Sequence, residues 1–119
     1  MLANEISITD QDGVILTRVE CAHMEDQHGQ ALVIQLQAAA DKAPSLPIVL
    51  DLSKVSIMPS IVIGVLVTLW KRFHESKQRF IMSGLQPQVR QVLTVCRLDK
   101  LFELCDSVED AKTRLCAQS

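Results

Sequence analysis

The residue of this 119-residue chain best placed to do chemistry is Ser60. It stands in IVLDLSKVSIMPSIVIGVLVTLW (48–70), directly after Pro59 and before Ile61-Val62-Ile63. A serine hydroxyl attacks a substrate only with a base and an oxyanion hole beside it, and no nearby motif supplies either. Two other roles suit it. It can accept a modifying group, or it can cap the helix that follows, a contribution of about 1 kcal/mol. Asp51 ends an apolar run and can satisfy the N–H groups of the turn after it. Ser53 and Ser56 are turn residues, with Ser56 a more distant alternative acceptor. The cysteines at 21, 96, 105 and 116 form no C-x-x-C pair, and His23, His28 and His74 show no ligand spacing. No metal centre and no cofactor are expected. With no glycine-rich phosphate loop, G-x-S-x-G or H-E-x-x-H, the chain reads as a binding module rather than an enzyme.

The elements that must position Ser60 follow from pattern. Two strands, 5–10 and 13–19, flank the turn Asp10-Gln11-Asp12-Gly13. Leu32, Ile34, Leu36, Ala39 and Ala40 predict an amphipathic helix over 27–43, closed by Pro44. The apolar run 48–52 is a buried central strand. A helix is predicted from Ser60, as its N-cap, to Ser76. A strand at 79–83 follows, and then a helix at 86–96 with Pro87 in its first turn and Val89, Val92, Leu93 and Val95 inward. A short strand at 101–104 precedes a last helix capped by Ser107. The order β-β-α-β-α-β-α-β-α predicts a single α/β domain spanning 1–119, a small mixed sheet flanked by helices.

The helix after Ser60 is apolar nearly all round, whereas a helix with one burial surface needs only one apolar stripe. Ile63, Leu66, Val67, Trp70 and Phe73 share the side predicted to meet the sheet. Ile61, Val62, Val65 and Leu69 share the other, where either a neighbouring helix or a partner must cover them. Lys71, Arg72 and Lys77 complement the helix dipole at its end, and Arg90 and Arg97 read as solvated.

Composition sets the boundaries. With 48% hydrophobic and 22% charged residues the chain folds rather than staying disordered. A net charge of −2 without a basic run argues against nucleic acid as partner. The N-terminus lacks the basic and apolar regions of a secretion leader, and Pro59, Ser60 and Gly64 interrupt the longest apolar run. A soluble cytoplasmic protein with reduced cysteines and no membrane insertion is expected.

IVLDLSKVSIMPSIVIGVL resembles the STAS family of bacterial anti-sigma factor antagonists, whose pattern is a strand ending D-L-S-x-V and a D-S-S-G-L-G helix start. SGLQPQVRQVLTVCRLDKLFELCDSVEDA is similar to the family's closing pattern, G-L-x-P-x-V, a leucine pair, then L-F and S-x-x-x-A. The likeness runs from about Ile6 to Leu115. It implies a non-enzymatic regulator that binds an anti-sigma factor or serine kinase, or another STAS protein, in a phosphorylation-dependent partner-switching pathway. Self-association, as in a stressosome-like scaffold, is one variant. The alternative it implies is an accessory subunit binding the ATPase of a membrane ABC transporter for lipids. By motif position Ser60 falls on the phosphoacceptor. Around it, Pro59 replaces the Asp, Ile61 the second small polar residue and Val62 the Gly, while Gly64 is kept. Partner contact is expected at Pro59 beside the acceptor and, from the bare side of the helix, at Ile61, Val62, Val65 and Leu69. By the resemblance, Glu25 or Asp26 loosely matches an acidic position of the family, and Glu25 is taken as a further contact.

Overall fold

The computed structural model describes residues 5–11 and 13–117. Residues 1–4, read above for a leader, and Asp12 of the predicted turn lie outside them, as does the side chain of Cys116. The elements are β1 (Ile6–Gln11), β2 (Val14–Val19), α1 (Asp26–Lys42), β3 (Ile48–Asp51), α2 (Ser60–Glu75), β4 (Phe80–Ser83), α3 (Pro87–Val95), β5 (Glu103–Cys105) and α4 (Val108–Ala117), with a 3-10 turn at Leu98–Lys100. The order is the predicted one.

The five strands lie side by side in chain order. β1 and β2 form the antiparallel hairpin, and β2 through β5 run parallel. A sheet that grows in one direction by crossovers of one hand carries its crossover helices on one face. α1, α2 and α3 accordingly pack on the face bearing Ile15, Val19, Ile48, Leu50, Phe80 and Met82. α4 covers the other face, where Val14, Leu16, Val49, Ile81 and Cys105 meet Ala111. β3 and β4 are thus buried on both faces, which is why the apolar run at 48–50 is continuous rather than alternating.

Loop chemistry fixes the ends. Gly84, at φ +71°, turns the chain out of β4, and a Cβ there would lie 3.0 Å from that of Ser53. Gln78 is buried and its amide donates to the carbonyls of Ala43 and Leu46, at 3.1 and 2.7 Å, stitching the α1–β3 connection to α2's exit. Ser107 caps α4 as predicted, its hydroxyl accepting from the N–H of Asp110 at 3.1 Å.

Three side chains predicted inward face out. Ile34 is 69% exposed, and Val92 and Val95 lie on the open side of α3, which touches the core through Val89 and Leu93. On a 3.6-residue repeat, Val92 falls about 60°, and Ile34 and Val95 about 120°, from the nearest residue of the buried stripes Leu32–Leu36–Ala40 and Val89–Leu93.

Candidate functional site

The start of α2 is built by two connecting loops laced together. The β2–α1 loop runs beside the β3–α2 loop: Ser56 and Ile57 donate their N–H groups to the carbonyl of Ala22, at 2.7 and 3.1 Å, and Met24 donates to Ile57 at 3.1 Å. Ser56 adds its hydroxyl to Ala22 at 3.2 Å, which absorbs it structurally. The lacing carries Glu25, which is exposed and stands at the N-cap of α1, to the same end of the domain as Ser60. Asp51 does the turn work expected of it, accepting from the N–H of Ser53 at 3.0 Å, and also pairs with Arg18 at 3.2 Å.

Ser60 is not the helix cap. Pro59 is, in extended conformation (φ −69°, ψ 161°), with its carbonyl accepting from Val62 and Ile63 at 3.0 and 3.2 Å. A proline already held extended ends the loop one residue early, so Ser60 becomes the first helical residue. Its hydroxyl is exposed and has no hydrogen-bond partner among the described residues. The chain on either side of it presents Ile57, 52% exposed, and Ile61, 53% exposed, with Pro59 half-buried.

The bare flank predicted for α2 is mostly closed. Val62 and Leu69 are buried, at 1% and 0% exposure, and Val65 is half-buried. α1 lies across them. Gly29 of α1 allows the approach, since a Cβ on it would stand 3.3 Å from Cγ2 of Val65 and 3.7 Å from Cγ2 of Val62. Val62 and Leu69 are therefore core residues and offer no contact surface in this fold, and Val65 offers a partial one. Of the predicted contact residues, Ile61, Pro59 and Glu25 remain accessible.

Sequence reading missed one cluster. Glu5, Cys21 and His28 bring a carboxylate oxygen, a thiol and a ring nitrogen within 4.8 Å of one another. The hairpin causes it: the N–H of Glu20 bonds to the carbonyl of Glu5, so the two ends of the hairpin meet beneath the first turn of α1. Pairing 6 with 19 across the predicted turn is the signal that could have found it. Such a ligand set suits zinc in type, but the hydrogen bonds oppose it. Nδ1 of His28 accepts from the N–H of Glu25 at 2.9 Å, which puts the neutral ring's proton on Nε2, facing Glu5. A metal on Nε2 needs that proton on Nδ1, pointed at another N–H. Burial, with the nearby charges of Glu5 and Glu25, pushes the Cys21 thiol up. The cluster works as a clamp between the hairpin and α1.

Comparison with known proteins agrees with the fold. The family profile described as STAS domain matches residues 13–111. An anti-sigma-factor antagonist (STAS) domain protein from Planctomyces limnophilus superposes with a TM-score of 0.83 at 22% identity, over 93% of this chain and 97% of that one. An anti-sigma factor antagonist from Mycobacterium paratuberculosis gives 0.78 at 26% identity, over 92% and 91%. The Bacillus cell fate determinant SpoIIAA, in its phosphorylated form, gives 0.72 at 14% identity, over 92% and 98%. Among the described residues no helix is long and apolar enough to cross a membrane.

Proposed function

The chain belongs to the STAS domain family, and from that premise we propose that it is a non-enzymatic anti-sigma factor antagonist switched by phosphorylation of Ser60. Its partner is an anti-sigma factor or serine kinase that docks on the start of α2. One observation carries the reading: an exposed serine hydroxyl with no internal partner, on the first turn of a helix, between the exposed isoleucines 57 and 61.

The physics of the switch follows from position. The N–H groups of Ser60 and Ile61 precede the first intrahelical bonds, which begin at Val62. A phosphate adds a charge of about −1.5 to −2. Those N–H groups and the positive end of the helix dipole accommodate it, so the fold persists. A partner that covers Ile57 and Ile61 must strip water from the phosphate, and docking is disfavoured. The charge acts on association and leaves the core alone.

Incubation with the cognate kinase and ATP, followed by peptide mass spectrometry, is expected to place the phosphate on Ser60. Phosphate on Ser56, or on no serine, would remove the switch from this reading. Ser60→Asp and Ile61→Ser are each expected to weaken binding to the kinase by about tenfold, measured by calorimetry, with circular dichroism unchanged. Normal binding by both variants would move the interface elsewhere.

A further inference from the structure

At the far end of α2, about 20 Å along the helix from Ser60, lies a cleft of about 380 Å³. Its apolar wall comes from Trp70, Phe80 and Leu101, and its rim carries Lys77, Arg79 and Glu103. The volume falls at the lower end of the range for small-molecule sites, about 300–1,000 Å³. We propose that this cleft binds a small planar aromatic anion, the ring against the Trp70–Leu101 wall and the acid group at Lys77.

Three features of the cleft point that way. The wall is aromatic and ordered: the rings of Trp70 and His74, one helical turn apart, stack with centroids 4.8 Å apart and planes 14° from parallel, and Phe80 lies against Phe73 at 5.4 Å. A flat ring gains more from such a surface than an aliphatic group of equal size. The rim is net cationic, because it carries Lys77 and Arg79 with the single carboxylate of Glu103, and Arg114 also donates to that carboxylate at 3.2 Å. Finally, the rim's fixed and free groups are separated. Arg79 binds Glu103 through two of its nitrogens, Nε at 2.8 Å. Gln78 is committed to the carbonyls of Ala43 and Leu46. The ammonium of Lys77 has no hydrogen-bond or ion-pair partner among the described residues.

Lys77 is held at the mouth by backbone geometry. It sits just past the end of α2 at φ 62°, the left-handed position of a helix stop, with its own N–H bonded to the carbonyl of His74 at 3.2 Å and that of Gln78 to Phe73 at 2.8 Å. Glycine or asparagine would sit there with less strain. A lysine there keeps the turn at some cost and adds a cation to the cleft.

Trp70 is the only tryptophan of the chain, so its indole N–H gives one unambiguous signal. The test is a ¹⁵N-resolved NMR titration with 1-naphthoate, its neutral analogue 1-naphthamide, and the non-aromatic anion cyclohexanecarboxylate. Saturable shifts of the Trp70 indole and the Lys77 and Leu101 amides are expected, with 1-naphthoate about fivefold tighter than either control. Lys77→Asn, which suits the left-handed turn and lacks the charge, should bring 1-naphthoate to the affinity of 1-naphthamide. Equal affinities for the three probes, shifts that do not saturate or cluster near Ile57 and Ile61, or an unchanged affinity in Lys77→Asn would overturn the proposal. None of these outcomes depends on phosphorylation at Ser60.

Discussion

Apolar side chains of α2 meet opposite fates on its two flanks. On one, Val62 and Leu69 are buried and Val65 is half-buried beside α1, with Gly29 allowing the two helices a close approach. On the other, Ile61 and Gly64 face solvent, and a Cβ added at Gly64 would touch nothing within 4 Å. Apolar character alone does not mark an interface: what separates the flanks is whether the fold supplies a neighbour. Here the neighbour is the preceding crossover helix, and the exposed remainder is a short apolar strip at the helix start.

The comparison can be pressed hardest on the sealed flank. Leu69→Ala removes a fully buried side chain and is expected to cost about 3 kcal/mol, read from denaturant unfolding. A loss below about 1 kcal/mol would mean that α1 does not hold this flank shut. Gly29→Val forces a branched side chain into the crossing and should destabilise by about 2 kcal/mol, by the same measurement. On the open flank the sign reverses. Gly64→Ala, in an exposed stretch of helix, should stabilise by about 0.5–1 kcal/mol, and a combined titration with the partner would show whether that surface tolerates a methyl group. The smallest expected change is in the stability of Ile61→Ser, within about 0.5 kcal/mol, which isolates the strip's contribution to binding from any contribution to folding.

The sequence carried the element order, the both-faces burial of β3, the turn role of Asp51 and the cap at Ser107, because each rests on local pattern: hydrophobic period, turn residues, a hydroxyl before a helix. The sealed flank was not legible in that way. Covering by α1 and covering by a partner make the same demand on Val62 and Leu69, so periodicity cannot separate them. Topology can, since strands in chain order put α1 and α2 side by side on one face, and Gly29 marks where they cross. Ser60 was misplaced by one residue for a different reason. Proline took over the extended cap conformation that a serine at 60 would otherwise have held. The clamp joins Glu5 before β1, Cys21 in the loop after β2 and His28 in the first turn of α1, and the register of the hairpin brings the first two together.

The sheet order has a consequence for how the chain acquires its structure. No strand has to be threaded between two that are already paired, because each parallel strand adds to the outer edge left by the one before it. The N-terminal hairpin offers a local starting point, and every later crossover extends it by one docked unit. Assembly can therefore keep pace with synthesis, N-terminus first. On such a route α1 is in place before α2 emerges, and the apolar flank of α2 meets its cover on arrival.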